Sequence, residues 1–385
     1  MISSQVKNHP LFISLIPNLM GGEGHIIPYH QSITKAMNIL GWHHEVIYSM
    51  QENLPSLPSH WQGCLKGNQL EEKNNLFQTI KDINLFAKTI RIFIEQKLVS
   101  QGDNQRTIIF IERFIHLQLF ALLLAVNNLP KENLYIWVLY RDNFHQHKTK
   151  GIYKLLNKLL KESVKPGHFS LFSDSELLAN SMAKYFEESF TVMPIPHTEF
   201  VDKNRDINHN SIICWWAGPP REEKGWQVIK NLADCPIENS NKFSLVTAKS
   251  ADLMAVNGGV KLITTDDKLS RPDYVHWLQK TDIMLIPYNA IAYQERTSGI
   301  FTEAVMAGNI PLTTANTWMA RELLKFDLDD LIINWDHPPS VWQNIEKVMN
   351  CQETRAKLEK MQESYRHIHN IHNFAHQFQK NLQFT

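Results

Sequence analysis

The chain has little of several things that usually make an assignment easy. Only four cysteines occur in 385 residues, Cys64, Cys214, Cys235 and Cys351, and no two form a Cys-x-x-Cys pair. That argues against a disulfide framework or a zinc knuckle and points to a reducing, cytoplasmic compartment. Net charge is absent: Lys plus Arg equals Asp plus Glu at 39 each, so the whole chain gives no reason to expect nucleic acid or an acidic membrane surface as a partner. Long hydrophobic runs are missing too. The longest apolar stretch, Leu117 to Val126, is interrupted by Gln118 and falls short of the roughly 20 residues that span a bilayer. With no transmembrane segment, peripheral contact with a membrane is the most this pattern permits. Glycine is scarce at 15 residues, which gives weight to any place where it clusters.

At about 150 residues per domain, the length predicts two domains with a cleft between them. Short β-rich apolar runs alternate with longer helical patterns from end to end, the signature of parallel sheets covered on both faces, so the fold class is α/β. In the first half strands are predicted at Leu11–Ile16, Glu45–Tyr48, Thr107–Ile111, Tyr135–Leu139, His168–Phe172 and Thr191–Ile195. In the second they fall at Ile212–Trp216, Phe243–Val246, Val260–Ile263, Ile283–Ile286, Ile310–Thr313 and Leu331–Ile333. The polar passage HTEFVDKNRDINHNS between them reads as a linker. The expected division is 1–198, a linker at 199–210, a second domain at 211–350, and a polar helical tail at 351–385 that has the option of crossing back to the first domain.

In such sheets ligands sit beyond the carboxyl ends of strands, where helix N-termini present backbone amides. Three strand-to-helix turns stand out. The first, NLMGGEGH, places Gly21, Gly22 and Gly24 within four positions, so the backbone there can approach a ligand closely, and His25 follows. It does not complete a Gly-x-Gly-x-x-Gly dinucleotide pattern. The second, WWAGPPREEKGW, sets Gly218, Arg221 and Lys224 beside a predicted helix start, which suits a diphosphate, while Glu222 and Glu223 offer the cations local partners. The third, YQERTSGIFTEAVMAGNIPLTT, carries Glu295 and Glu303 with seven residues between them, and Thr297, Ser298 and Gly299 at a helix start. Glu303 is the only charged residue between Thr297 and Leu312, in an apolar helical pattern. Leaving it unpaired there would cost roughly several kcal/mol, so a protein group or a ligand hydroxyl is expected to meet it. His116, after the strand TIIFIERF, is a further candidate on the first-domain side, against the alternative of a structural histidine at a helix start.

Together these turns resemble the GT-B glycosyltransferases with the Glu-x7-Glu motif, the retaining, family 4-like group, over nearly the whole chain. AGPPREEKG resembles the family's glycine, basic residue and Lys-Gly turn, and ERTSGIFTEAVMAGNIPLTT its donor-binding segment. GGEGH, LGWHHEVIY and DSELLANSMAKYF with PIPH resemble its glycine loop and the passage towards the linker. Two departures are visible. Pro219 stands where members often carry arginine, with Arg221 two positions on, and Arg296, Thr297 and Ser298 replace the usual Gly-Phe-Gly after the first glutamate.

The resemblance implies two Rossmann-like domains facing a central cleft, the first serving the acceptor and the second the donor. It further implies a transferase that moves a sugar from a nucleotide diphosphate sugar, with retention and without a cofactor or metal. Catalytic roles would fall to Glu295, Lys224, Arg221 and His116, with Ser298, Gly299, Thr297, Glu303 and Gly218 binding the donor. Gly22, Gly24 and His25 would lie on the acceptor side. Glu303 would accept hydrogen bonds from the ribose, and Lys224 and Arg221 would neutralise the diphosphate. The acceptor, whether saccharide, lipid or protein, stays open. So do two other readings, a noncatalytic nucleotide-sugar-binding protein and a GT-B epimerase. Asp266 and Asp267 lack the Asp-x-Asp spacing of a metal-binding carboxylate pair.

Overall fold

The computed structural model describes residues 9–17, 19, 26–49, 57–67, 70, 75–101, 105–196, 211–254 and 256–383. The glycine turn with Gly22, Gly24 and His25, and the linker at 199–210, lie outside them. The chain divides into two units, Met1–His197 with Ile371–Thr385, and Thr198–Asn370.

The first unit is built from β1 (Leu11–Ile16), α1 (Ile26–Leu40), β2 (His43–Ser49), β3 (Trp61–Leu65), α2 (Leu76–Gln101), β4 (Thr107–Glu112) and α3 (His116–Val126), followed by β5 (Leu134–Tyr140), α4 (Lys150–Glu162), β6 (Phe169–Ser173), α5 (Glu176–Phe186) and β7 (Phe190–Val192). Its sheet has the order β3-β2-β1-β4-β5-β6-β7, with every pairing parallel. Every residue of β1, β4 and β5 is buried, as expected of strands covered by helices on both faces.

The second unit runs β8 (Ile212–Trp215), α6 (Trp226–Ala233), β9 (Phe243–Ala248), β10 (Lys261–Thr265), α7 (Arg271–Lys280), β11 (Ile283–Ile286), α8 (Gly299–Met306), β12 (Ile310–Thr314), α9 (Trp318–Leu324), β13 (Ile332–Ile333), α10 (Pro338–Asn350) and α11 (Gln352–Ile368). Its sheet, also parallel throughout, has the order β10-β9-β8-β11-β12-β13. In both units the strand order reverses between the first and fourth strands, β1 and β4 in one, β8 and β11 in the other. At such a switch point the helices leave to opposite faces and open a crevice at the carboxyl ends.

Hydroxyl caps start several of these helices: Ser175 accepts from the Leu178 amide, Ser270 from Asp273 and Thr317 from Ala320. Each such cap stabilises its helix by about 1 kcal/mol. Residues 351–385, expected as one helical tail, divide into α11 and a last helix, α12 (Ile371–Gln383). Within the second unit α11 packs on α8, where Gln362 Nε2 donates to the Met306 carbonyl at 2.9 Å. Within the first, α12 packs on α1 and inserts Phe374 and Phe378 into a buried aromatic cluster with Phe12, Phe110 and Trp137. The Trp137 and Phe378 rings are stacked, 5.7 Å apart.

Three sequence expectations are corrected. The last strand of the first sheet is Phe190–Val192 rather than Thr191–Ile195. β3 and α2 were not foreseen at all. β3 is a short edge strand whose two fully buried residues, Trp61 and Leu65, stand at its ends, so its apolar alternation is weak. α2 buries Ile83, Phe86, Ala87, Ile90, Phe93 and Ile94 at helical spacing, a pattern that the intervening polar residues dilute. Among the described residues no helix is long and apolar enough to cross a membrane.

Candidate functional site

At the switch point of the second sheet, the turn after β8 and the loop after β11 lie against each other. Gly225 makes the approach possible: its φ is 78°, and a Cβ there would lie 2.1 Å from the Pro287 carbonyl oxygen. The Asn289 amide donates to the Glu223 carbonyl at 2.9 Å, and Trp216 Nε1 to the Lys224 carbonyl at 3.1 Å. These bonds hold the basic turn in place. The predicted helix start lies further along than Arg221 and Lys224, because Glu222–Lys224 is a single 3-10 turn and Gly225 breaks it from α6. Arg221 and Lys224 therefore sit in the turn, ahead of the α-helix.

Two tyrosines from the β11 loop carry the cations. The Tyr288 and Tyr293 rings pack 4.5 Å apart; Lys224 Nζ lies 5.7 Å from the centre of the first, and the Arg296 guanidinium 5.0 Å from the centre of the second. A Cβ at Gly218, which has φ 92°, would lie 3.8 Å from Lys224 Nζ, so the Gly218 backbone flanks the ammonium. Burial first, then Arg221 and to a lesser degree Arg296, push the Lys224 ammonium down to about 8, while Glu223 works the other way. Two cations thus act on the Lys224 ammonium here, with Glu223 opposing them.

α8 starts beside this group. Its apolar face, Ile300, Phe301, Ala304 and Val305, is buried, which fixes where its first turn and Glu303 point. Glu303 is 2 % exposed and fully engaged: Arg271 Nη1 donates to its Oε1 at 2.9 Å and the Tyr274 hydroxyl to its Oε2 at 2.7 Å. The Tyr274 phenol is pushed well above its ordinary value by burial and then by this carboxylate, so it remains the donor. The partner that the sequence demanded is therefore supplied by the protein, from α7. Each carboxylate oxygen keeps a second lone pair for a further donor.

Ser298 is buried and its hydroxyl caps α8 by accepting from the Phe301 amide at 3.3 Å. Gly299 opens the helix, where the first amides have no acceptor within the helix. Thr297 and Glu295 are half-buried in the loop before it. Asp266 pairs with Lys249 at 2.6 Å and Asp267 accepts from the Ser250 amide at 2.9 Å.

His116 lies in the first unit, at the carboxyl end of β4, with its ring edge-on to Tyr153 at 5.9 Å and its basicity lowered by burial. Near it in sequence, the strand ends carry a charged cluster that the sequence reading did not single out. Arg141, after β5, has Nε 3.2 Å from Glu112 Oε2 and 3.6 Å from Asp174 Oδ2, and its guanidinium lies 3.8 Å from the Tyr29 ring centre. His30 Nε2 is 2.9 Å from Glu112 Oε1. Burial pushes the Glu112 carboxyl up, but Arg141 and His30 outweigh it and hold the group below its ordinary value.

Of the sequence candidates, the structure brings together Gly218, Arg221 and Lys224 with the start of α8. It adds Arg296, Arg271, Tyr274 and Tyr288, which were missed. Arg296 was visible in the sequence as the substitution in the glycine-rich stretch after Glu295; Arg271 lies 32 positions from Glu303, and no local spacing relates them.

No family model matches the sequence, and no curated protein matches it either. Solved structures do match over almost the full length. The chain is similar to the N-terminal domain of Candida albicans trehalose-6-phosphate phosphatase (12% identity, 98% of this chain and 97% of that one, TM-score 0.65). It is similar to a sucrose-phosphate synthase from Thermosynechococcus elongatus (11%, 97% and 98%, TM-score 0.65). It is also similar to Anabaena HepE in complex with UDP-glucose (10%, 98% and 100%, TM-score 0.63). The two parallel sheets with their helices are thus two Rossmann-like domains of the GT-B type, the fold of nucleotide-sugar glycosyltransferases.

Proposed function

We propose that the chain is a glycosyltransferase that moves a sugar from a nucleoside diphosphate sugar to a hydroxyl-bearing acceptor, with retention of anomeric configuration. One observation carries this reading: Lys224, with Arg221 and Arg296 as charged neighbours and its ammonium pushed down to about 8, stands at the switch point of a Rossmann-like sheet. A buried ammonium with two cationic neighbours favours an anion beside it. Breaking the bond between the anomeric carbon and the diphosphate places negative charge on the departing oxygen, and cations fixed in advance stabilise that charge as it forms. Each fixed donor of this kind lowers the barrier by about 3–4 kcal/mol in other enzymes.

In this reading Lys224 and Arg221 hold the diphosphate with Gly218 at their side, and the Gly299 amide adds a donor from the helix N-terminus. Glu303, fixed by Arg271 and Tyr274, uses its remaining lone pairs for the ribose hydroxyls. Glu295 and Thr297 meet the donor sugar. Side-chain cations do the neutralising, so the scheme needs no metal or cofactor. The HepE complex with UDP-glucose supports a uridine donor. Residues 1–198 serve the acceptor, with Gly22, Gly24, His25 and His116 as its candidate contacts, and the compartment is the cytoplasm.

Thermal melts with UDP, GDP and ADP test the site. One of the three, UDP by this reading, raises the melting temperature, and Lys224→Ala removes the shift. No shift with any of them sinks the proposal. Incubation of the matching nucleotide sugar with acceptor extracts then separates transfer from mere binding, and an isomerised sugar formed without acceptor would mark an epimerase instead.

A further inference from the structure

Two histidines, His372 and His376, stand four residues apart on α12. One face of this helix is buried in the first unit: Phe374, Ala375, Phe378 and Leu382 join the aromatic cluster there. His372 and His376 take the other face, and both are exposed. Residues four apart on a helix lie one above the other, with Cβ atoms about 5–6 Å apart, so their side chains can reach a common point. A metal–imidazole bond is about 2.0–2.1 Å long, which asks the two ligating nitrogens to come about 3 Å apart, within the swing of two imidazoles at this spacing. The same placement of two histidines is how a His-Glu-x-x-His helix holds zinc. Here Asn373, Phe374 and Ala375 stand between them, so the pair has the ligands without the glutamate base, and its chemistry is binding rather than hydrolysis.

The backbone under the pair is fixed in advance. The Phe374 and Phe378 rings pack 4.7 Å apart, and Phe378 stacks on Trp137, so the turn that carries both histidines is anchored and little ordering remains to oppose a bound ion. Other histidines are placed differently. His44 has Ser14 Oγ and Thr34 Oγ1 at 2.9 Å and 3.0 Å from its two ring nitrogens, and His168 is buried with its ring stacked on Tyr135 at 3.9 Å. His369, three positions before His372, belongs to the second unit, edge-on to Tyr365 at 4.8 Å. Among the described residues no three or more His, Cys, Asp or Glu gather as a metal-holding group, so α12 supplies two ligands and water fills the remaining positions. Imidazole suits zinc, nickel and copper, whereas magnesium and calcium seek oxygen. Lys380, one turn beyond His376, adds a like charge that holds the affinity down. We propose that His372 and His376 form a binding site for a divalent transition metal, which ties adjacent turns of α12 together.

Calorimetric titration of the full chain, without an affinity tag and with Ni2+ as the probe, tests this. Ni2+ leaves the partly buried thiols of Cys64, Cys235 and Cys351 unoxidised. Saturable, equimolar binding of Ni2+ is expected, and none of Mg2+. His372→Gln and His376→Gln should each weaken Ni2+ binding at least about tenfold, a loss seen even for residues that only support a metal ligand. Both side chains are exposed and lie off the packed face, so an unchanged melting temperature in the presence of chelator would show that the fold is intact. Added Ni2+ should raise the melting temperature of the wild type and not that of either variant. Absence of saturable Ni2+ binding overturns the proposal. So does binding that both variants retain in full, which would move the site to histidines beside acids, such as His43 with Glu45 at 3.5 Å or His147 with Asp142 at 3.9 Å.

Discussion

Each unit carries a cation at the carboxyl end of its central strands, and the two environments are opposite. Arg141 in the first unit lies between Glu112 and Asp174, both buried, with the Tyr29 ring against its guanidinium. Lys224 in the second has Arg221 and Arg296 for charged neighbours, and only Glu223 works to keep its proton on. The first arrangement sets its cation among acids and acts as a clamp across the ends of β4, β5 and β6. The second sets its cation beside two others, and by the proposed function a diphosphate joins them. Position in a Rossmann-like fold therefore does not by itself make a charged residue a ligand contact; the balance of charge around it does.

Removing the clamp should have the largest effect. Glu112→Ala leaves Arg141 and His30 facing a buried gap, and unfolding in urea should show a loss of about 3–5 kcal/mol, as for other broken buried pairs. A loss below about 1 kcal/mol would mean that Arg141 is not clamped in this way and would narrow the contrast with Lys224.

The pH dependence of nucleotide binding comes next. The Lys224 proton leaves near pH 8 in the unliganded protein instead of near the ordinary value of 10.5. A bound diphosphate favours the charged form, so affinity should fall above pH 8 by up to about tenfold per unit, with proton uptake on binding at pH 8 to 9 in calorimetry. The sign for stability is the reverse. Between about 8 and 10.5 the unfolded chain holds this proton and the folded one does not, so raising the pH there favours the folded, unliganded protein through this group. Lys224→Gln should abolish both trends; a wild-type affinity that is flat from pH 7 to 9 would show that Lys224 does not meet the anion.

The smallest effect is expected at Arg271. Its side chain is 35% exposed, so solvent screens its pair with Glu303, and Tyr274 continues to hold the other carboxylate oxygen. Arg271→Gln should cost about 1 kcal/mol or less of stability while weakening UDP binding a few-fold through a less fixed Glu303. An unchanged affinity would confine Arg271 to a structural part.

Several of these features were legible in the sequence and others were not, for identifiable reasons. That Glu303 needs a partner followed from an isolated acid in an apolar helical pattern. That the partner is Arg271 with Tyr274 did not, because α7 and α8 come together only through their packing on the sheet. That the Ser298 oxygen answers the Phe301 amide was not read from the sequence, because a helix cap and a ligand contact are compatible with the same local residues. Arg221 and Lys224 stood out in the sequence as two cations in one turn, but Gly225 as the residue that seats that turn against Pro287 was recognisable only once the β11 loop was in view. The Glu112 and Arg141 cluster escaped notice because its members sit at the ends of three separate strands.

The sequence by itself determined the alternation of strands and helices, hence the α/β class, the pair of units and the turns where ligands are expected. These depend on periodicity and on glycine and proline placement, which act over a few residues. Only the tertiary structure decided which cations lie among acids, which lie beside other cations, and which groups hold Glu303. Those outcomes depend on distances of a few ångströms between residues tens of positions apart, and on how much water burial removes from each charge.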